Sequence, residues 1–197
     1  LTPDVLHLNS TRVLLRPLDV EEHSNAERIA RKHMLELFRF LKENAPSCKE
    51  ATILSSSCEI GVRESRMLEG LYTITPEDLL NCTRFEDAIA AGNYDMDIHS
   101  PDGTGTTHYW IPEGKYYTIP YRACVPKEIR NLWVAGRCIS STHDSQAAYR
   151  IMPIVSCIGE GVGIALSIAL TEGMDNSSVP VEHLRRKLDE RNLVEGF

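Results

Sequence analysis

Two arginines and a proline in the C-terminal third of the chain have types and a spacing that could hold a flat, anionic ligand. Arg137 follows Gly136 at the end of an apolar run, and Arg150 precedes Met152-Pro153, where a long apolar stretch begins. Proline suits the first turn of a helix, because its missing N–H would have no partner there. The free amides of a helix start attract phosphate or a polarised carbonyl, and nearby guanidinium groups pair with phosphate oxygens.

The same stretch also fits a plain buried strand and helix that bind nothing. Gly159, Gly161 and Gly163 fall in the first turns of the predicted helix. Each glycine costs about 1 kcal/mol relative to alanine in a helix interior, so three together need a reason. Close approach of a ligand is one reason, and tight packing of the helix on a sheet is the other. The spacing alone leaves both open.

A second group of candidate residues alternates along the chain as Asp95, Asp97 and His99. On a strand, all three side chains would lie on one face. Carboxylate and imidazole groups are both metal ligands, but three ligands on a single strand rarely converge on one ion. We therefore predict no metal site here.

Composition narrows the classes of partner. The chain has 197 residues and a formal net charge of −7, which argues against nucleic acid or an anionic membrane as a partner. The longest apolar stretch, 151–170, contains Pro153, Glu160 and glycines, so we predict no membrane span. Six cysteines without a C-x-x-C pair are typical of reduced, buried thiols and predict a cytoplasmic setting.

The first half of the chain reads as mixed helix and strand. We predict strands at 11–16, 51–54 and 66–74. Between them, Asp19 and Glu22 form a capping-box pattern that opens an amphipathic helix, and the proline after Asn44-Ala45 ends it.

The second half must position the candidate site. Capping boxes at 75–78 and 83–86 predict two short helices, the second ending at Gly92. Hydrophobic patterning and turn residues then predict the remaining elements: a hairpin of strands 94–99 and 107–111, an extended segment at 116–122, a buried strand at 131–135, the helix that starts near Pro153, and a last helix from about 180 to 192. The order is mixed α and β, with the antiparallel part in the middle.

Taken together, several of these segments resemble a known family, the FAD-dependent oxidoreductases with a glutathione-reductase-like flavin domain. The resemblance covers roughly residues 50–192. It is carried by the segments IGVRESRMLEGLYTIT, PEDLLNCTRFEDAIAAGNYDMDIHSPDG, YYTIPYRACVPKEIRNL, NLWVAGRCIS, YRIMP with the glycine-bearing helix, and VEHLRRKLDERN. Each segment alone is weak, and the set in this order is specific.

The resemblance implies FAD as the cofactor and assigns roles to single residues. It places these residues against the flavin: Gly136, Arg137, Ser140, Arg150, Met152, Pro153 and Gly159. It also implies four residues on the substrate side: catalytic His99 and Arg63, and substrate-binding Tyr121 and Arg122. Histidine suits proton transfer because its pKa lies near neutrality. From the residues alone, a structural histidine at 99 and a surface ion pair at 63 remain alternatives.

One motif of that family does not occur in the sequence. The G-x-G-x-x-G turn that binds the ADP half of FAD is missing. We therefore expect the C-terminal part of a larger flavoprotein, with the missing N-terminal dinucleotide-binding region as its partner. Its expected fold is α+β, a partial FAD/NAD(P)-binding-type fold. Residues 1–125 would form a substrate-domain portion with antiparallel strands, and 126–197 a C-terminal piece of the FAD-binding domain with a strand–loop–helix that contacts FAD.

Two functions follow from this reading. In the first, the chain forms part of the flavin and substrate site for hydride transfer from a small organic substrate. In the second, it holds no FAD and is a non-catalytic binding or structural module that folds alone or forms a homo-oligomer through its apolar surface. Retention of yellow flavin by the purified chain separates the two.

Overall fold

The computed structural model describes residues 4–99 and 105–190, which divide into two compact units. The first unit holds residues 4–65, and the second holds residues 66–99 and 105–190. The boundary expected after residue 125 falls inside the second unit. The assignment of the two parts of the chain to a substrate side and a flavin side stays a prediction.

Helix α1, Val20–Asn44, is the main element of the first unit. The Asp19 side chain accepts hydrogen bonds from the first backbone N–H groups of the helix, so the predicted cap is confirmed. The predicted capping box is wrong, because the Glu22 carboxylate accepts from the backbone N–H of Arg16 at 2.7 Å instead of returning to Asp19. The helix ends at Asn44, where the following proline predicts its end.

The segments that flank α1 do not form the strands predicted at 11–16 and 51–54. A helix side chain holds the segment that follows α1. Arg31 donates to the Ser56 hydroxyl and to the Cys58 carbonyl, both at 2.8 Å. A strand needs a neighbouring backbone with complementary pairing, and the structure shows no such ladder for residues 11–16 or 51–54.

The second unit combines helices with small antiparallel sheets. Its helices are α2 (Pro76–Leu80), α3 (His143–Tyr149), α4 (Met152–Glu172) and α5 (Val181–Asp189). Its strands are β1 (Ala88–Gly92), β2 (Met96–His99), β3 (Thr106–Tyr109) and β4 (Tyr117–Pro120). Strand β1 pairs antiparallel with β4, and β2 pairs antiparallel with β3. This mixture is compatible with the expected α+β class.

The core of the second unit lies where α4 covers the β1–β4 pair. Tyr117, Ile119 and Ile158 are fully buried there. Helix α5 packs against α4 and β1 and buries Leu184 and Leu188, which is the apolar face that its sequence predicts. Because these elements are held by one continuous core, the loops between them have a fixed support.

The helix glycines have two different environments. A Cβ at Gly161 would lie 2.6 Å from the Cβ of Ile89, so α4 approaches β1 more closely than any side chain at this position would allow. Tight packing of the helix on a sheet therefore explains Gly161. No atom lies within 4 Å of a Cβ at Gly159 or Gly163, and both residues are exposed. Packing does not explain those two.

Local sequence signals predict several elements correctly. The Asp78 carboxylate accepts from the Thr75 backbone N–H at 2.9 Å, which confirms the capping box of α2. The pairing of β2 with β3 confirms the predicted hairpin. Strand β4 and helix α5 also lie inside their predicted segments.

Three predictions in the second unit are wrong. Residues 83–92 do not form a helix, because 88–92 pair as strand β1 with β4. The segment 66–74 makes only isolated bridges, at Gly70 and Ile74, in the part of the chain that the structure describes. Residues 131–135 are not a buried strand.

The segment 131–135 instead follows an irregular path near the surface. Leu132 is 41% exposed, and the Val134 N–H donates to the Cys124 carbonyl at 3.0 Å. Without a continuous ladder, an apolar run does not become a strand.

The expectation that the thiols are buried is only partly met. All six cysteines are free. Cys124 is buried, but Cys58, Cys138 and Cys157 are exposed, so the expectation of buried thiols is wrong for these three.

Helix α4 is long and apolar enough to cross a membrane by length and composition, with 39% of the relevant window buried inside the structure. A core helix passes the same test, so this is weak evidence for a membrane span.

Candidate functional site

The loop that begins at Gly136 runs across the buried end of helix α3. Gly136 has a φ of +109°, a conformation that side chains other than glycine rarely adopt. No atom lies within 4 Å of a Cβ at this position, so backbone conformation and not crowding requires the glycine. The next residue, Arg137, is exposed. The sequence therefore turns sharply here and presents a guanidinium group to solvent.

A buried tyrosine supports this loop from below. Tyr149 is fully buried, and its hydroxyl oxygen lies 2.8 Å from the Ser141 hydroxyl. The same hydroxyl lies 3.3 Å from the carbonyl oxygen of Arg137 and 3.4 Å from that of Ile139. A phenolic group has one proton to donate, so these acceptors share it. The tyrosine fixes the backbone that carries Arg137.

Ser140 lies on the inner side of the loop and is buried. Its hydroxyl lies 3.1 Å from the hydroxyl of Thr73. Its backbone N–H donates to the Ala123 carbonyl at 2.9 Å, and its carbonyl accepts from the Ile74 N–H at 3.1 Å. These bonds tie the loop to two neighbouring segments. A direct contact between Ser140 and a cofactor stays a prediction.

Helix α4 begins three residues after Tyr149 and has no side-chain cap. Its N-cap residue, Ile151, makes no capping hydrogen bond, and Pro153 lies in the first turn. Met152 is 83% exposed, and Pro153 is exposed as well. The first amides of a helix lack intrahelical partners and carry the positive end of the helix dipole. This start can therefore bind an anion or a polarised carbonyl from outside.

Arg150 lies just before this helix start and is partly buried. Its Nη1 lies 3.5 Å from the Gln146 side chain, and its Nη2 lies 3.4 Å from the carbonyl oxygen of Asp97 in β2. The guanidinium group is thereby positioned between α3 and the hairpin. Gly159 lies about two turns further along α4, with open space around it.

Tyr121, a predicted substrate contact, has internal partners. Its hydroxyl donates to the Asn176 carbonyl at 2.7 Å and accepts from the indole N–H of Trp133 at 2.6 Å. Burial raises the pKa of Tyr121 to about 12, while the bond from Trp133 acts in the opposite direction. The phenol therefore stays neutral at physiological pH. Its role towards a substrate stays a prediction.

Arg122, the other predicted substrate contact, pairs with a buried carboxylate. Its Nε lies 2.9 Å from Asp87 Oδ2, and its Nη2 lies 3.2 Å from Asp87 Oδ1. The backbone N–H of Arg122 donates to the same carboxylate at 3.0 Å. The hydrogen bonds that Arg122 donates to Asp87 raise the pKa of Arg122. Its side chain is 50% exposed and lies over the ring of Tyr72. A fixed, permanently charged group thus faces solvent here.

The two predicted catalytic residues, His99 and Arg63, belong to different units of the chain. His99 ends β2 opposite Thr106, and its side chain lies outside the described part of the structure. Arg63 is exposed in an irregular segment of the first unit. The residues predicted to contact flavin all lie in the second unit. There, the loop 136–140 rests on Tyr149, and Arg150 and the start of α4 follow directly in the chain.

Sequence reasoning missed Tyr149 and Asp87, which position the others. Nothing in the spacing marks them, because their partners are set by tertiary packing. Helix α3 was missed too, although Thr142 is a good N-cap and its hydroxyl accepts from the Ser145 N–H.

The chain was compared with known protein families, curated proteins and solved structures. The family model described as FAD dependent oxidoreductase matches residues 2–188. The chain belongs to the FAD dependent oxidoreductase family. No curated protein and no solved structure shows significant similarity to it. Membership in this family implies FAD as the cofactor.

The residues present fit one part of FAD. An FAD dependent oxidoreductase must hold an anionic pyrophosphate and a polar edge of the flavin ring. The uncapped start of α4, exposed Arg137 and the left-handed turn at Gly136 offer positive charge and an open backbone for such groups. The sequence contains no G-x-G-x-x-G turn for the ADP half.

Proposed function

We propose that the second unit forms one wall of an FAD site in an oxidoreductase that takes hydride from a small organic substrate. The observation that carries the proposal is the uncapped, exposed start of α4, which follows three residues after Tyr149, the residue whose hydroxyl contacts the Arg137 carbonyl. Family membership supplies the cofactor. We further propose the glutathione-reductase-like subfamily, on the motif resemblance and not on the fold.

Each flavin-side residue has a defined task in this proposal. Gly136 lets the backbone approach the ribityl-pyrophosphate region, and Arg137 pairs with phosphate or ribityl oxygens. The amides after Met152-Pro153 face the pyrimidine edge of the ring and favour negative charge there. Arg150 adds positive charge beside them. When bound, FAD supplies the two-electron redox chemistry.

We also propose roles for the residues on the substrate side. His99 would hold or move a proton, and Arg63, Tyr121 and Arg122 would contact the substrate. Arg122 suits this task because Asp87 fixes its guanidinium group while half of the side chain faces solvent. A segment that this sequence does not contain would hold the ADP half of FAD. We propose a cytoplasmic location, because the six cysteines include no C-x-x-C pair and are typical of reduced thiols.

An absorbance scan of the purified chain from 300 to 550 nm, with and without added FAD, tests the proposal. Flavin bands that survive desalting are the expected result. Arg137→Ala should weaken FAD retention about tenfold, the size of one charge-assisted hydrogen bond. Arg130→Ala is the matched control, because Arg130 is 84% exposed and lies outside the proposed site. Equal retention by both variants would remove Arg137 from the site.

A second function is favoured by the outer face of α4. Met152 is 83% exposed and Leu170 is 71% exposed, and their spacing of five helical turns places them on one side of the helix. Gly159 and Gly163 are also exposed between them on this face of α4. Exposed apolar surface of this kind is typical of a site that binds another polypeptide. A chain that retains no flavin and sediments as a dimer would support the non-catalytic module in place of the oxidoreductase.

A further inference from the structure

The hairpin formed by β2 and β3 carries polar and aromatic side chains that the proposed flavin site does not use. Met96 pairs with Tyr109, and Met96 is buried against the unit. Asp97 pairs with His108, one position along each strand. Because side chains alternate along a strand, Asp97 and His108 lie on the face opposite to Met96.

Trp110 follows β3 and continues this second face. Its indole lies edge-to-face against the His108 ring, with ring centroids 4.3 Å apart and an interplanar angle of 70°. The contact restrains the tryptophan, yet 73% of the residue is exposed. A large aromatic ring that is restrained but not buried offers its π surface to a ligand.

A carboxylate is fixed next to this tryptophan. Asp95 Oδ1 accepts a hydrogen bond from the backbone N–H of Ile111 at 2.7 Å, so the side chain reaches across to the residue that follows Trp110. Asp95 Oδ2 takes no part in that bond. The negative charge of Asp95 also contributes, after burial, to the raised pKa of Tyr117. The Asp95 carboxylate is thereby anchored to the backbone next to Trp110.

We propose that Trp110 and Asp95 form a site for a small organic cation, such as a substituted ammonium group. A cation over an indole face is attracted by the ring quadrupole, and a neighbouring carboxylate adds Coulomb attraction. Arg150 Nη2 contacts the Asp97 carbonyl of the same hairpin, which connects this face with the start of α4. The site therefore assigns a cationic amine as the substrate class. As a substrate site it rests on the proposed function, whereas as a cation site it stands without it.

Ligand-observed NMR on the full chain without added flavin tests the cation site. Choline is the probe, and 3,3-dimethylbutan-1-ol is its neutral isostere of matched shape. Saturation transfer from the protein to the choline methyl protons, with a saturable titration, is the expected result. The neutral alcohol should bind several-fold more weakly. Equal binding of the two probes, or no binding of choline, would overturn the proposal.

Two substitutions locate the site. Trp110→Leu should lower choline affinity about three- to thirtyfold, the range of a cation–π contact. Because this side chain is largely exposed, the variant should fold, and its circular dichroism spectrum checks that. Asp95→Asn keeps an acceptor for the Ile111 N–H and removes the charge, so it should also weaken binding. Asp189→Asn, an exposed carboxylate on α5, is the charge-matched control and should bind choline as the native chain does.

These outcomes separate the cation site from the flavin proposal. Choline binding is measured without FAD, so its loss leaves the flavin result untouched. Conversely, a chain that binds choline but retains no flavin keeps the cation site and contradicts the proposed oxidoreductase site. Equal choline affinity of Trp110→Leu and the native chain would place any binding elsewhere and overturn the assignment.

Discussion

A Cβ atom at Gly161 would lie 2.6 Å from the Cβ of Ile89 and 3.0 Å from the Ile89 carbonyl oxygen. Helix α4 thus rests directly on the backbone of strand β1. The contact sets the height of the helix above the sheet and, with it, the position of the helix start at Met152. A packing requirement in the core is therefore connected to the geometry of the proposed flavin site.

Substitution of Gly161 by alanine should destabilise the chain although alanine is the better helix former. Overpacking costs about 1 to 3 kcal/mol and outweighs the gain of about 1 kcal/mol in helix propensity. Gly163→Ala is the matched control, since it lies on the same helix in open space. It should be neutral or slightly stabilising. Urea unfolding monitored by circular dichroism measures both, and a Gly161→Ala variant as stable as Gly163→Ala would contradict the close packing.

The contrast between α1 and β1 shows which parts of the fold the sequence predicts. The start of α1 depends on Asp19 and a few neighbouring residues, so a local pattern was enough. The segment 88–92 contains several alanines and follows a capping-box pattern, which locally favours a helix. It becomes a strand because β4 pairs with it and α4 covers it. Partners distant in sequence decide the outcome, and a local pattern does not contain them.

Some features of the candidate site are likewise predictable from local sequence, and others depend on distant partners. Gly136 and the start of α4 were predictable, because a left-handed turn and a proline in a first helical turn leave local marks in a sequence. The support from Tyr149 was not predictable, since its hydroxyl reaches carbonyl groups up to twelve residues away. Burial selects those contacts, and no spacing rule describes them.

Tyr149→Phe tests whether that hydroxyl holds the loop. Removing it takes away the contact with the buried Ser141 hydroxyl and the donor to the Arg137 and Ile139 carbonyls, so we expect a loss of about 1 to 3 kcal/mol. Ser141→Ala and the double variant complete a thermodynamic cycle measured by urea unfolding. A coupling energy of about 0.5 kcal/mol or more is expected for two groups in contact. Strictly additive losses would show that the two hydroxyls act independently.

The raised pKa of Tyr72 predicts that the folded chain loses stability at alkaline pH. Burial, followed by the hydrogen bond to Asp78, raises the pKa of Tyr72 from 10.0 to about 12. Above the unfolded-state pKa the unfolded chain releases this proton, while the folded chain keeps it until the higher pKa is reached. Stability from this group is therefore complete below pH 10 and falls as the pH rises from 10 to about 12.

Tyr72→Phe should reduce the slope of that decline. Unfolding free energies at several pH values between 9 and 12, with tyrosinate absorbance followed in parallel, measure the effect. Tyr121 has a similarly raised pKa of about 12, so part of the slope should remain in the variant. An identical slope in the native chain and the variant would mean that Tyr72 ionises normally in the folded state.

Arg122→Met tests the ion pair that fixes the predicted substrate contact. Asp87 is 3% exposed, and loss of the guanidinium group leaves this buried carboxylate with the Arg122 backbone N–H as a donor but no opposite charge. Because the Arg122 side chain is half exposed, water can replace part of the pair, and we expect a loss of about 1 to 3 kcal/mol. Arg130→Met removes an exposed arginine that lies 3.7 Å from Asp175, and should cost about 0.5 kcal/mol or less. Thermal unfolding at neutral pH compares the two variants, and equal losses would show that Asp87 does not depend on its partner.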